Sequence, residues 1–139
     1  MLNFDYSIPT KIFFGKGKVS VLPREIKKYG SRVLLVYGGG SIKKNGIYDD
    51  IVNQLKKNSI EFWELSGVEP NPRITTVRKG IEICRKNKIE LVLAVGGGSC
   101  IDCSKAIAAA YYYEGDAWDI VKSQIGRASC RERVYGECR

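Results

Sequence analysis

The chain has 139 residues, 44% of them hydrophobic and 27% charged, with a formal net charge of +8. That length gives one domain a real core and leaves no room for a second, and no apolar run approaches the ~20 residues that span a bilayer. Histidine is absent, which removes the commonest metal ligand and the commonest general base at neutral pH. Lys and Arg are scattered among Asp and Glu rather than gathered in a stripe. A phosphorylated small molecule is therefore a better expectation than a nucleic acid. Met1 to Tyr6 carry neither a basic nor an apolar leader region, and Cys84, Cys100, Cys103, Cys130 and Cys138 are an odd number at irregular spacing. Both features point to a cytoplasmic protein with reduced thiols and no membrane partner.

In chain order, Thr10 to Gly15 is β-rich and ends at the turn signal Gly15-Lys-Gly17, predicting a first strand. Val19 to Tyr29 predicts a helix with Pro23 in its first turn and Gly30 as its C-terminal cap. Arg32 to Tyr37 is a continuous apolar run, the pattern of a strand buried on both faces of a parallel sheet, and it runs into Gly38-Gly-Gly-Ser41. Tyr48 to Lys57 predicts a helix with Ile47, Ile51, Val52 and Leu55 on one side. Ile60 to Leu65 reads as a strand, and Gly67 to Pro72 as a loop fixed by two prolines. Arg73 to Asn87 predicts a helix, because Ile74, Val77, Ile81 and Cys84 recur at helical spacing. Glu90 to Val95 repeats the buried-strand pattern and runs into Gly96-Gly-Gly-Ser99, followed by an alanine-rich helix to about Tyr113. Alternating strands and helices with right-handed crossovers predict an α/β fold: a Rossmann-like parallel sheet with helices on both faces.

From Ile125 onward no periodicity assigns the chain to a core. Ile125 to Val134 can be back-translated into a run that resembles a common sequencing adapter. The expected division is therefore a cofactor-binding domain over 1–124 and a non-native, adapter-derived tail over 125–139. The tail carries Arg127, Arg131, Arg133, Arg139, Glu132 and Glu137, so the remainder stays basic without it.

Each Gly-Gly-Gly-Ser run follows a predicted parallel strand, where open α/β sheets bind their ligands. Glycines let a pyrophosphate lie against the main chain, and the helix that follows offers unpaired N–H groups and the positive end of its dipole. Ser99 adds a hydroxyl and is a candidate helix cap. The plainer account is a tight strand-to-helix turn. Neither run spells the common dinucleotide fingerprint or a Walker loop. Cys100 and Cys103 leave open a second reading, a stand-alone nucleotide-binding or thiol redox module with an acidified cysteine at a helix start.

Gly15-Lys-Gly17, Val36 to Gly46, Gly67 to Pro72, Ala94 to Asp102 with Lys105-Ala-Ile-Ala108, and Gly115-Asp-Ala-Trp-Asp119 occur in this order. Together they resemble the iron-containing alcohol dehydrogenases of the dehydroquinate synthase-like superfamily, on the butanol dehydrogenase branch. The resemblance covers residues 1 to 122 and implies the N-terminal domain of such an enzyme, truncated. It implies that Gly97, Gly98 and Ser99 hold a cofactor pyrophosphate, that Asp102 approaches the nicotinamide ribose, and that Asn71 lies near the adenosine. Plainer accounts are an acid favoured near a helix start for Asp102 and a turn residue for Asn71. Enzymes preferring NAD usually carry an acid after the second strand, and here that position is Gly39. Gly38, Gly39, Gly40 and Ser41 are thus expected to accept a 2′-phosphate, with Lys43 or Lys44 as the cation, which favours NADP(H) over NAD(H). The implied reaction is metal-assisted hydride transfer between a small primary alcohol and its aldehyde, in an assembly that could be a homodimer. The metal, iron or zinc, is implied to sit on one Asp and three His of a following helical domain. This chain is accordingly expected to carry no catalytic or metal-ligating residue and to be inactive alone.

Overall fold

The computed structural model describes residues 10–122 and 134–137. Four parallel strands form one sheet: β1 (Arg32–Tyr37), β2 (Glu61–Leu65), β3 (Leu91–Val95) and β4 (Val134–Glu137), ordered β2-β1-β3-β4. Strand β1 is central, pairing Leu34 with Trp63 of β2 and with Val92 of β3. Residues 33–37 of β1 and all of β3 are buried, as their unbroken apolar sequences predict for strands covered on both sides.

The pleat divides these side chains between two layers. Leu34, Val36, Val92 and Ala94 face α4 (Ile74–Asn87), α5 (Gly98–Ala110) and α6 (Ala117–Lys122). Val33, Leu35, Tyr37, Leu91, Leu93 and Val95 face α1 (Leu22–Ile26) and α3 (Ile47–Lys57). Helices thus cover both faces of a Rossmann-like sheet, the α/β architecture expected. Among the described residues, no helix is long and apolar enough to cross a membrane.

Several elements depart from expectation. Residues 10–14 form no strand and are exposed, with Ile12 and Phe14 at 84% and 93% accessibility. Strand backbone groups need a neighbour to pair with, and among the described residues none lies beside this segment. The helix expected over 19–29 is a 3₁₀ turn (Lys18–Val21) followed by the short α1, which contains Pro23 in its first turn. Gly30 closes α1 through its N–H to the Ile26 carbonyl at 3.2 Å. It also lies so close to Glu90 that a Cβ there would be 2.6 Å from the Glu90 Cβ. A short helix α2 (Ser41–Lys44) follows the first glycine run and contains Lys43 and Lys44. Helix α4 begins at Ile74 with Arg73 as its extended cap.

Helix α5 stops at Ala110, short of the expected Tyr113. There the Arg85 guanidinium of α4 donates to the carbonyls of Ala110, Tyr111 and Tyr113, the last at 2.7 Å. The two helices meet closely: a Cβ on Gly80 would be 2.4 Å from Ile107 Cδ1.

The largest departure is in the tail, expected to contain nothing regular. Val134–Glu137 is a strand, pairing Val92 with Val134 and Val95 with Glu137. The outer edge of β3 presents a row of main-chain donors and acceptors, and an extended segment satisfies them whatever its side chains. The rest of the tail, with Cys130 and Cys138, and Met1 to Tyr6 lie outside the described residues.

Candidate functional site

The loops that leave β1, β2 and β3 meet at the carboxyl end of the sheet. Val68 N–H donates to the Tyr37 carbonyl at 3.2 Å and Gly67 N–H to the Gly38 carbonyl at 3.3 Å, extending the β1–β2 ladder into the loops. A Cβ on Gly38 would touch the Val68 carbonyl at 3.4 Å and Cys100 Sγ at 3.9 Å. Gly96 has φ 144°, and a Cβ there would be 2.9 Å from the same sulfur. Cys100, in the first turn of α5, therefore sits against both glycine runs. Gly96 is held as glycine by its φ and by the Cys100 sulfur, whereas a Cβ on Gly38 would make only ordinary contacts.

Gly39, Gly97 and Gly98 are different. Among the described residues, no heavy atom lies within 4 Å of a Cβ built on any of them, and none has the left-handed φ that demands glycine. Neither packing nor conformation calls for glycine there, so the sequence keeps bare backbone facing open space. Gly40 also faces open space but has φ 123°. Next to Gly97 and Gly98, α5 begins with Cys100 and Ile101 N–H groups bonded to the Gly97 carbonyl at 3.0 and 3.3 Å. The N–H groups of Gly98 and Ser99 precede the first helical bonds and are the groups a helix start offers to an anion.

Ser99 was expected as a candidate cap, but the cap is Gly97 and no side chain bonds there. Ser99 is instead the second helical residue, half-buried among these open N–H groups. Asp102, three residues further along α5, is exposed. Asn71, between Pro70 and Pro72, has φ 57° and is exposed; asparagine is among the few residues that tolerate that region. The structure thus brings Gly38–Ser41 and Gly96–Ser99 together on neighbouring strands. Asn71 stands on the loop tied to Gly38.

Sequence reasoning missed a polar cluster beside the first run. Tyr37 and Tyr48 hydroxyls donate to opposite oxygens of the Glu64 carboxylate at 2.5 and 2.8 Å. Their rings are 5.6 Å apart, and Lys43 Nζ lies over both, 5.4 Å from the Tyr37 centroid and 4.8 Å from that of Tyr48. Burial, with Glu64 beside it, pushes the Tyr37 phenol up to about 12. The bond to Glu64 raises Tyr48. No sequence signal marks this cluster, because its members come from β1, α3 and β2 and meet only when those elements pack.

Cys100 and Cys103 are buried at 5% and 0% accessibility. Burial pushes the Cys100 thiol up, against an opposing backbone bond from Gly38, and raises Cys103 to about 11. A reactive redox cysteine needs the reverse, an exposed and acidified thiol. Among the described residues, no group of three or more Cys, Asp or Glu could hold a metal ion. With no His in the chain, these residues do not supply the ligand set of an iron centre.

A model of the iron-containing alcohol dehydrogenase family matches residues 9–134. The chain is 75% identical over 122 residues to NADH-dependent butanol dehydrogenase A of Clostridium acetobutylicum, covering 88% of this chain and 31% of that protein. It is 42% identical over 125 residues to the NADPH-dependent aldehyde reductase YqhD of Escherichia coli, covering 88% of this chain and 32% of that protein. Among solved structures, NADH-dependent butanol dehydrogenase A of Thermotoga maritima superposes with a TM-score of 0.86 at 48% identity, over 96% of this chain and 34% of that one. The chain spans about a third of the length of the curated relatives it matches. From the glycine runs to the sheet order, the chain belongs to the iron-containing alcohol dehydrogenase family.

Proposed function

We propose that this chain is the nicotinamide-dinucleotide-binding region of a cytoplasmic oxidoreductase that interconverts small primary alcohols and aldehydes. The observation that carries this reading is the bare backbone of Gly39, Gly97 and Gly98, which nothing in the packing of the described residues requires. Gly97, Gly98 and Ser99 would hold the pyrophosphate at the start of α5, with Asp102 toward the nicotinamide ribose and Asn71 toward the adenosine. The part of the reaction assigned to these residues is to hold the nicotinamide so that hydride can leave or join it. Polarisation of the alcohol oxygen by iron or zinc belongs to residues this chain does not contain, so the chain alone binds cofactor without turnover. The resemblance of residues 125–134 to an adapter supports reading 125–139 as foreign to the native protein.

Of the two cofactors, NADP(H) is supported by Gly38–Ser41, where Gly39 presents neither a carboxylate nor any side chain to a 2′-phosphate. A second reading, NAD(H), is favoured by the 75% identical relative, which is NADH-dependent by name. Titrating the 139-residue chain with NADPH and NADH, followed by nicotinamide fluorescence, tests both. A Gly98→Ala variant should bind about tenfold more weakly, because the new methyl occupies ligand space. Its thermal midpoint should hold or rise, since alanine is the better helix former by up to ~1 kcal/mol. Unchanged affinity in this variant would remove the pyrophosphate assignment.

A further inference from the structure

The geometry points to Cys100 as a positioning residue for the cofactor: its sulfur ties the first glycine run to the second, so that one dinucleotide engages both. This inference rests on the proposed dinucleotide site and deepens it, because it assigns a role to a buried side chain rather than to the exposed backbone.

Cys100 stands in the first turn of α5, where its own N–H donates to the Gly97 carbonyl at 3.0 Å. The thiol therefore belongs to the same turn as the second run. From there it reaches the first run on the neighbouring strand. Gly38 N–H donates to the sulfur, and a Cβ on Gly38 would stand 3.9 Å from it. Gly96 also lies against the side chain, since a Cβ there would fall 2.9 Å from the sulfur and 3.5 Å from the Cys100 Cβ. The Gly38 carbonyl accepts Gly67 N–H at 3.3 Å, so the loop that carries Asn71 is attached to the same residue. Loops from three strands thus converge on one side chain that is 5% accessible.

The pairing of β1 with β3 ends at Tyr37 and Val95, just before the two runs begin. Beyond that pair, no main-chain hydrogen bond joins Gly38–Ser41 to Gly96–Ser99 among the described residues, and Cys100 spans the gap. A ligand that binds two loops loses affinity when they move independently, because binding must then also fix their relative placement. A thiol suits the task. It is long enough to touch both glycines, where a methyl would fall short, and it accepts a weak bond. Burial holds it protonated, so it sets no negative charge behind a pyrophosphate.

The test compares the unaltered 139-residue chain with Cys100→Ala, Cys100→Ser and Cys103→Ala, each checked for folding by circular dichroism. Cys103 is the control, a thiol on the same helix that is buried at 0% accessibility but is not among the atoms nearest Gly38 or Gly96. Nicotinamide fluorescence gives the affinities for NADPH and NADH, and hydrogen exchange read by mass spectrometry follows the amides of residues 38–41. Cys100→Ala should weaken both cofactors by about five- to tenfold. It should also speed exchange at residues 38–41 several-fold, although they lie on another element. Cys100→Ser keeps an acceptor for Gly38 N–H and should bind within about threefold of the unaltered chain. Cys103→Ala should lower the thermal midpoint while leaving both affinities within about twofold. The proposal is overturned if Cys100→Ala leaves exchange at residues 38–41 unchanged, if Cys100→Ser binds no better than Cys100→Ala, or if Cys103→Ala weakens the cofactors as much. If the unaltered chain binds neither cofactor, the dinucleotide site itself is wrong and this inference falls with it. Cofactor binding that is insensitive to Cys100 overturns this inference alone.

Discussion

Tyr37 shows how much one side chain can carry at the boundary between core and crevice. It ends β1, is buried at 2% accessibility, and its phenol rises from 10.0 to about 12 through burial and its bond to Glu64. The folded state therefore favours the protonated phenol. The stability this adds is fully present below the unfolded value near 10 and is lost as pH rises through 12. Two units correspond to on the order of 3 kcal/mol. Urea unfolding from pH 8 to pH 12 should show stability falling more steeply above pH 10 in the unaltered chain than in Tyr37→Phe, and equal slopes would contradict the assignment. Both glycine runs were legible in the sequence because strand, turn and helix are contiguous there. The Tyr37–Tyr48–Glu64 cluster was not, since its members come from β1, α3 and β2 and meet only when those elements pack.

The elements most legible in sequence were those with the strongest patterns. β1 and β3 read as unbroken apolar runs, and α4 showed its helical spacing from Ile74 to Cys84. Residues 10–14 had the composition of a strand, but composition supplies no partner, and none is present among the described residues. The expected end of α5 overshot by one turn because alanine and tyrosine do not signal a stop; the stop comes from Arg85, which reaches across from α4. The contact between these helices depends on Gly80 in the same way, with Ile107 filling the space a side chain would take. Gly80→Ala should therefore cost about 1–3 kcal/mol by overpacking, despite alanine's higher helix propensity. Denaturant unfolding measures this directly. A stabilised variant would mean that α4 and α5 can separate without loss.

At the scale of the molecule, the sheet formed by the described residues has one edge at β2 and another at β4. A chain ending at Gln124 would leave β3 as an edge strand that is apolar along its entire length. Such edges pair with other chains. The shortened protein should bind cofactor within about twofold of the full chain, because the glycine loops are kept, but should associate at micromolar concentration. Light scattering across a dilution series decides this, and a monodisperse shortened chain would show that β4 protects nothing. The tail was unreadable from sequence because its pattern carries no instruction to fold. The instruction lies in β3, whose pairing with β4 is made by main-chain atoms from Val92 to Val95. That makes this edge a splice point. A segment need only be extended and reach the edge to complete the sheet, so separately produced pieces could be rejoined here, or an unrelated peptide fitted, without redesigning the domain that receives it.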